Sequence, residues 1–253
     1  ESVVAVLDTR GGPWKPVLKG ETRDVSTLRL FRVSWCRFKT DQRILCGFRS
    51  DYIDDWARLI VSTRLVALDA DGRNNRELMV RGGAGTRSQF ADRIVSMLED
   101  DPTGVLVEVD EDHNGYPSVL RVDVNTGLTR PHTGGLKPIR EFYADPGGNV
   151  RLASGYVGTN ISWFVRDGKG RPWRELERYR AFSGDSVAFV GFGVRPNELY
   201  VRRSHEGREA LWLVDLDDRE NPKLLFSHPS VDVDGPVMWN DRLVGVAGVD
   251  IDG

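Results

Sequence analysis

The feature that most constrains this chain is a phrase that returns along it. RLVALDADGRNNREL at 64–78 comes back as LRVDVNTGLTR at 120–130 and as ALWLVDLDDRENPKLL at 210–225. Each copy is an apolar, strand-like run that meets Asp, Asn or Gly turn chemistry and then a polar tail. Each is preceded by a second strand-like run. RILCGF (43–48) precedes RLVALDADG (64–72), and GVLVEVDED (104–112) precedes SVLRVDVNTG (118–127). NVRLASGYV (149–157) precedes ISWFVRDGKG (161–170), and NELYVRRSHEG (197–207) precedes ALWLVDLDD (210–218). β-Branched and aromatic residues recur in these pairs, which read as two strands and a turn.

The anchors at the ends of the second strands are Asp69, Asp123, Arg166 and Asp215, separated by 54, 43 and 49 residues. That period suits four-stranded blades repeated radially. A helical repeat would need 3.6-residue periodicity, which these runs lack. Only RELERYRAF (174–182) and parts of 51–60 and 88–98 leave room for short helices. The expected fold is all-β, a β-propeller of four-stranded blades in one domain over residues 1–253. VVAVLDTRGGPWKPVL (3–18) resembles a second strand and its tail, and RLVGVAGVDIDG (242–253) a first strand alone. Four full hairpins and two half-units represent about five to six blades. An incomplete propeller, cut from a longer protein, is the expectation.

Composition narrows the partners. The net charge of -3 offers no basic excess for a polyanion, which argues against nucleic acid. No apolar run approaches the roughly 18–20 residues of a membrane helix, so no membrane partner is expected. The chain opens at Glu1 with no signal-peptide core. Cys36 and Cys46 flank Asp41 symmetrically in SWCRFKTDQRILCGF. In a hairpin they would face each other within disulfide reach; two buried thiols are the competing reading.

The motifs that invite chemistry mostly dissolve on inspection. DEDHNG (110–115) fits the first half of an EF-hand loop, but the twelfth position, which needs a bidentate Glu, is Arg121, and strands flank it. That excludes an EF-hand and favours an acidic hairpin tip, with a looser calcium loop at a blade tip as the alternative. DADGRN (69–74), DVDG (232–235) and DIDG (250–253) read as turn chemistry at strand ends. Ser186 in GDSVA is followed by a strand, whereas a nucleophile elbow needs a helix there. His113, His132, His205 and His228 have no partner at metal-ligand spacing. Gly82, Gly83 and Gly85 lack the Lys-Ser/Thr of a phosphate loop. Trp163 and Trp212 fall in second strands and suit core or inter-blade packing. No catalytic, cofactor or metal residue is assigned.

In order along the chain, FRVSWCRFKTDQRILCGF, RLVALDADGRNNREL, DRIVSMLEDDPTGVLVEVD, YPSVLRVDVNTG, EFYADPGGNVRLASG, GRPWRELERY and HPSVDVDGPVMWNDRLVGV resemble the propeller of prolyl oligopeptidase-family serine peptidases. Bacterial acylaminoacyl-peptidase and dipeptidyl-peptidase-like members are the nearest in kind. The resemblance implies an α/β-hydrolase domain following this segment in the parent protein and carrying the Ser-Asp-His triad. It implies a gating role for this segment, which would cover the active site and admit short or unfolded peptides. The partners implied are peptide substrates, reached through that domain; homo-oligomerisation stays open, as do periplasmic and cytoplasmic placement. Glu108, Asp110, Glu111 and Asp112 are the acidic candidates for substrate contact, with a solvated turn as the alternative. A stand-alone binding propeller and a calcium-dependent propeller enzyme are the competing functions.

Overall fold

The recurring phrases become the middle strands of antiparallel sheets in a computed structural model, which describes residues 2–20, 22–24, 29–54, 56–79, 88–183, 186–193, 195–239 and 242–249. Sheet one pairs β1 (Val3–Val6) with β2 (Lys15–Lys19). Sheet two runs β3 (Thr22–Asp24), β4 (Arg29–Thr40), β5 (Arg43–Ile53), β6 (Leu59–Asp69) and β7 (Arg76–Glu77). Sheet three holds β8 (Arg93–Ser96), β9 (Gly104–Val109), β10 (Ser118–Asp123) and β11 (Thr129–Thr133). Sheet four holds β12 (Ile139–Ala144), β13 (Val150–Val157), β14 (Asn160–Val165) and β15 (Arg174–Arg180). Sheet five holds β16 (Val187–Phe192), β17 (Glu198–His205), β18 (Arg208–Asp215) and β19 (Asp218–Phe226). Sheet six pairs β20 (Asp232–Trp239) with β21 (Arg242–Val249). Strand order follows chain order within every sheet, so each is an up-and-down meander.

The described residues contain no helix. The helical option at RELERYR is therefore corrected: it is β15. Its pairing with β14 slips between Trp163 and Phe164, so that Glu177 and Glu175 are successive partners and Leu176 is bulged out. The bulge leaves Leu176 and Tyr179 as the half-buried positions, three apart, which imitates a helical face. The DVDG run at 232–235 opens β20, so it is the start of a strand rather than the turn that follows one. DIDG and the glycines of RGGAGTR lie outside the described residues.

Contacts divide the chain into two units, Glu1–Ala153 and Ser154–Gly253. In the first, sheet two is buried on both faces, which explains its near-continuous apolar runs. Ile44, Cys46, Phe48, Val66 and Leu68 pack with Phe31 and, from sheet one, Leu18. The alternate residues Leu45, Leu65 and Ala67 pack on Val105, Val107, Val109, Leu120 and Val122 of sheet three. Cys36 and Cys46 sit directly opposite each other across β4 and β5 and form a disulfide, settling the choice that spacing left open. Gly47 is a requirement of packing: a Cβ there would lie 2.2 Å from the Trp35 indole nitrogen.

Cations seal the seams between sheets. Arg43, buried in sheet two, donates to the Val124 carbonyl beyond β10 at 2.7 and 3.1 Å, and to Asp69 at 2.8 Å. Lys39 donates to the carbonyls of Met97 and Leu98, and Arg76 to that of Thr126. In the second unit Arg219 donates to the Leu176 carbonyl at 3.1 Å and Arg208 to that of Pro229 at 3.1 Å. Arginine outnumbers lysine 29 to 6, and its planar fork can serve several carbonyls at once.

Candidate functional site

Successive connections of a meander lie at alternate ends of the sheet. In the first unit the seam bonds fix which ends coincide. Arg43, Lys39 and Arg76 join the β4–β5 and β6–β7 turns to the β8–β9 and β10–β11 turns, defining a lower end. The β5–β6 hairpin, the segment before β8, the β9–β10 hairpin and the start of β12 therefore share the upper end.

The lower end is occupied by turn chemistry. Asp123 Oδ1 accepts from the backbone N–H of Asn125 and Thr126, and Asp71 Oδ1 from that of Arg73. Asp101 accepts from the backbone of Thr103 and Gly104, and from the Arg121 guanidinium. Those bonds hold the Asp101 carboxyl down to about 2 against the cost of its desolvation. Arg121, at the would-be twelfth EF-hand position, is thus committed to Asp101. A polar cleft of about 340 Å3 between Arg43, Asp69, Asn74, Arg76 and Asn125 also opens there. Arg166, the anchor that breaks the Asp pattern, is buried with its guanidinium 4.5 Å from the Trp173 ring centroid.

The upper end carries the candidate site, a cleft of about 540 Å3 whose lining includes Phe90, Arg93, Glu108, Asp110, His113 and Arg140. Alternation in β9 turns Val105, Val107 and Val109 into the core shared with sheet two and Glu108 to the opposite face. Glu108 is buried; its Oε2 accepts from the Phe142 backbone N–H at 2.7 Å and from Arg93. Burial pushes its carboxyl above the ordinary range, and Arg93 opposes that shift. Arg93 also reaches the Phe142 carbonyl at 3.3 Å and Glu141 at 3.7 Å, with its guanidinium 5.1 Å from the Tyr143 ring centroid.

Asp110 caps the β9–β10 turn, accepting from Asn114 N–H at 3.1 Å and Gly115 N–H at 2.7 Å. His113 and Gly115 adopt positive φ of 52° and 76°, as the turn reading requires. Arg140 donates to the Gly115 carbonyl and lies 4.2 Å from the Tyr116 ring centroid. Of the four acidic candidates, then, Glu108 and Asp110 line the cleft, while Glu111 and Asp112 belong to the turn beside it. Phe90 and Arg93, at the entry to β8, and Arg140 of β12 come from two other segments, and no local motif marks them.

The arrangement offers binding chemistry: a buried carboxylate, two guanidinium groups and an exposed aromatic ring. The lining Ser88 Oγ donates to the Phe90 carbonyl at 2.7 Å. Ser186 leads into the strand β16. Among the described residues no three His, Cys, Asp or Glu side chains converge as metal ligands. No helix among them is long and apolar enough to cross a membrane.

No protein-family model matches the sequence, and no curated protein does. Solved structures do. A structure from a study of two prolyl endopeptidases matches 99% of this chain and 39% of its own, at 13% identity and a TM-score of 0.58. An oligogalacturonate lyase in complex with manganese matches 94% of this chain and 67% of its own, at 11% identity and a TM-score of 0.53. The sheets are β-propeller blades. An acylaminoacyl peptidase in complex with Z-Gly-Gly-Phe-chloromethyl ketone matches over 80% of this chain, at 11% identity and a TM-score of 0.51. The chain spans about a third of the length of that peptidase. The blade phrases and their order, read from sequence, thus correspond to a fold that peptidases use; the upper-end cleft lies where blades two, three and four present their hairpins and connections.

Proposed function

We propose that this chain is the non-catalytic propeller of a serine peptidase of the prolyl oligopeptidase type, gating peptide access to an α/β-hydrolase site outside it. The supporting observation is coverage. The prolyl endopeptidase match takes in 99% of this chain and only 39% of the other, as a propeller segment of a two-domain peptidase would. Gating needs no reactive group in the propeller. A propeller excludes folded loops by size alone when its blades are tight, and the cation seams between these blades support that role. Continuing the parent reading frame tests the proposal: a following segment with G-x-S-x-G after a strand and before a helix supports it, and a frame without one removes it.

A second reading, a stand-alone ligand-binding propeller, is favoured by the lyase match, which takes in 67% of that chain rather than a minor part of it. Affinity of the purified chain for a small ligand, with no hydrolase segment in its reading frame, would select it.

A further inference from the structure

The β5–β6 hairpin is built unlike its counterparts. Its strands are 11 residues each, against 6 and 6 for β9 and β10. Near its tip Asp54 accepts from the backbone N–H of Trp56 and Arg58 and pairs with the Arg58 guanidinium at 2.7 Å. Ile53, Trp56 and Leu59 are 64%, 78% and 62% exposed there. Three large apolar side chains on one projection are costly to leave in water.

The cleft is next to this hairpin. Its wall at Ser88–Phe90 is bonded along β6: Thr63 N–H donates to the Gln89 carbonyl at 2.9 Å, and Gln89 Nε2 to the Val61 carbonyl at 2.6 Å. The shaft therefore carries an apolar knob at its end and a cavity wall on its flank, both at the upper end of one unit. The cavity has what an indole needs. Phe90 offers a half-exposed ring, Arg93 a partly exposed guanidinium, and Glu108 a carboxylate acceptor whose Oε2 is held by Arg93 and the Phe142 N–H.

We propose that the upper end is a self-association surface, in which Trp56 of one copy enters the cleft of a second copy and the second copy reciprocates. A knob and a hole on the same face satisfy the self-complementarity that a two-fold contact demands. The small net charge of -3 opposes such pairing little. One aromatic anchor per side, bringing about 150–250 Å2, places the contact in the weak class below a standard interface. The occupant is a second copy of this chain, and the inference is independent of the peptidase reading.

Sedimentation of the full chain over roughly 1–200 µM tests it, a range that brackets a weak micromolar dimer. The expected result is a concentration-dependent dimer. Trp56→Ala and Phe90→Asp should each sediment as monomers with unchanged melting temperature, since both side chains are exposed. An equimolar mixture of the two variants should regain association, because one intact knob then meets one intact hole. A chain that stays monomeric throughout the range overturns the proposal. So does a dimer that persists in either variant, and so does a mixture of monomeric variants that fails to associate.

Discussion

The seam between blades two and three and the seam between blades four and five solve one problem with different chemistry. The first is aliphatic. Leu45, Leu65 and Ala67 meet Val105, Val107 and Val122, and its polar crossings include the buried Arg43 on the Val124 carbonyl. The second is aromatic. Trp163 lies 5.7 Å from Phe189, which lies 5.5 Å from Phe192. Trp163 Nε1 and the Tyr179 hydroxyl both donate to the Val187 carbonyl, at 3.1 and 2.9 Å. The cation there, Arg219, is exposed. The same cation-to-carbonyl crossing therefore has two values. Buried, it is the alternative to a desolvated carbonyl and carboxylate; exposed, it competes with water.

Removing the buried crossing should break the comparison most visibly. Arg43→Ala should lower unfolding stability by about 3 kcal/mol in urea titration, since the Val124 and Asn74 carbonyls lose this donor and Asp69 keeps only Asn74 of its two side-chain donors. A loss below about 1 kcal/mol would put both seams in the same class. Opening the Cys36–Cys46 bridge comes next. Reduction, or Cys36→Ala with Cys46→Ala, should cost about 2–3 kcal/mol, the value for a loop of this size. Paired melting curves with and without reductant read it directly.

On the aromatic side, Trp163→Phe should cost about 1–2 kcal/mol, because Tyr179 still satisfies Val187. Acid sharpens the picture at the lower end. Asp101 titrates at about 2 when folded, below its ordinary 3.8. Its contribution is therefore complete above pH ~4–5 and is lost as pH falls toward 2. With a side chain one-third exposed, screening reduces this to about 1 kcal/mol, absent in Asp101→Asn. Glu108 works in the opposite sense: raised by burial, it favours the folded state less as pH climbs through its range. The smallest effect belongs to Arg219→Ala, expected below about 0.5 kcal/mol.

These contrasts also mark what the chain's letters reveal. The four hairpin pairs read from sequence became β5–β6, β9–β10, β13–β14 and β17–β18, because middle strands bury both faces and carry long apolar runs. The Asp anchors proved legible for a local reason: Asp69, Asp123 and Asp215 accept from partners within five residues. Outer and inner strands were harder. β7 is two residues long, β8 four, and the bulge in β15 imitates a helix. The cleft was half legible. Glu108 and Asp110 lie in one acidic run, but Arg93, Arg140 and Phe90 reach it through tertiary packing, which leaves no periodic trace.

The gating account stands most directly on how cleavage depends on substrate length. The parent protein should be compared, intact and lacking residues 1–253, on a short peptide and on a folded protein carrying the same cleavable sequence in a loop. The account predicts that the intact protein cleaves only the peptide, and that removing this propeller exposes the loop to cleavage. Equal discrimination with and without the propeller would contradict it.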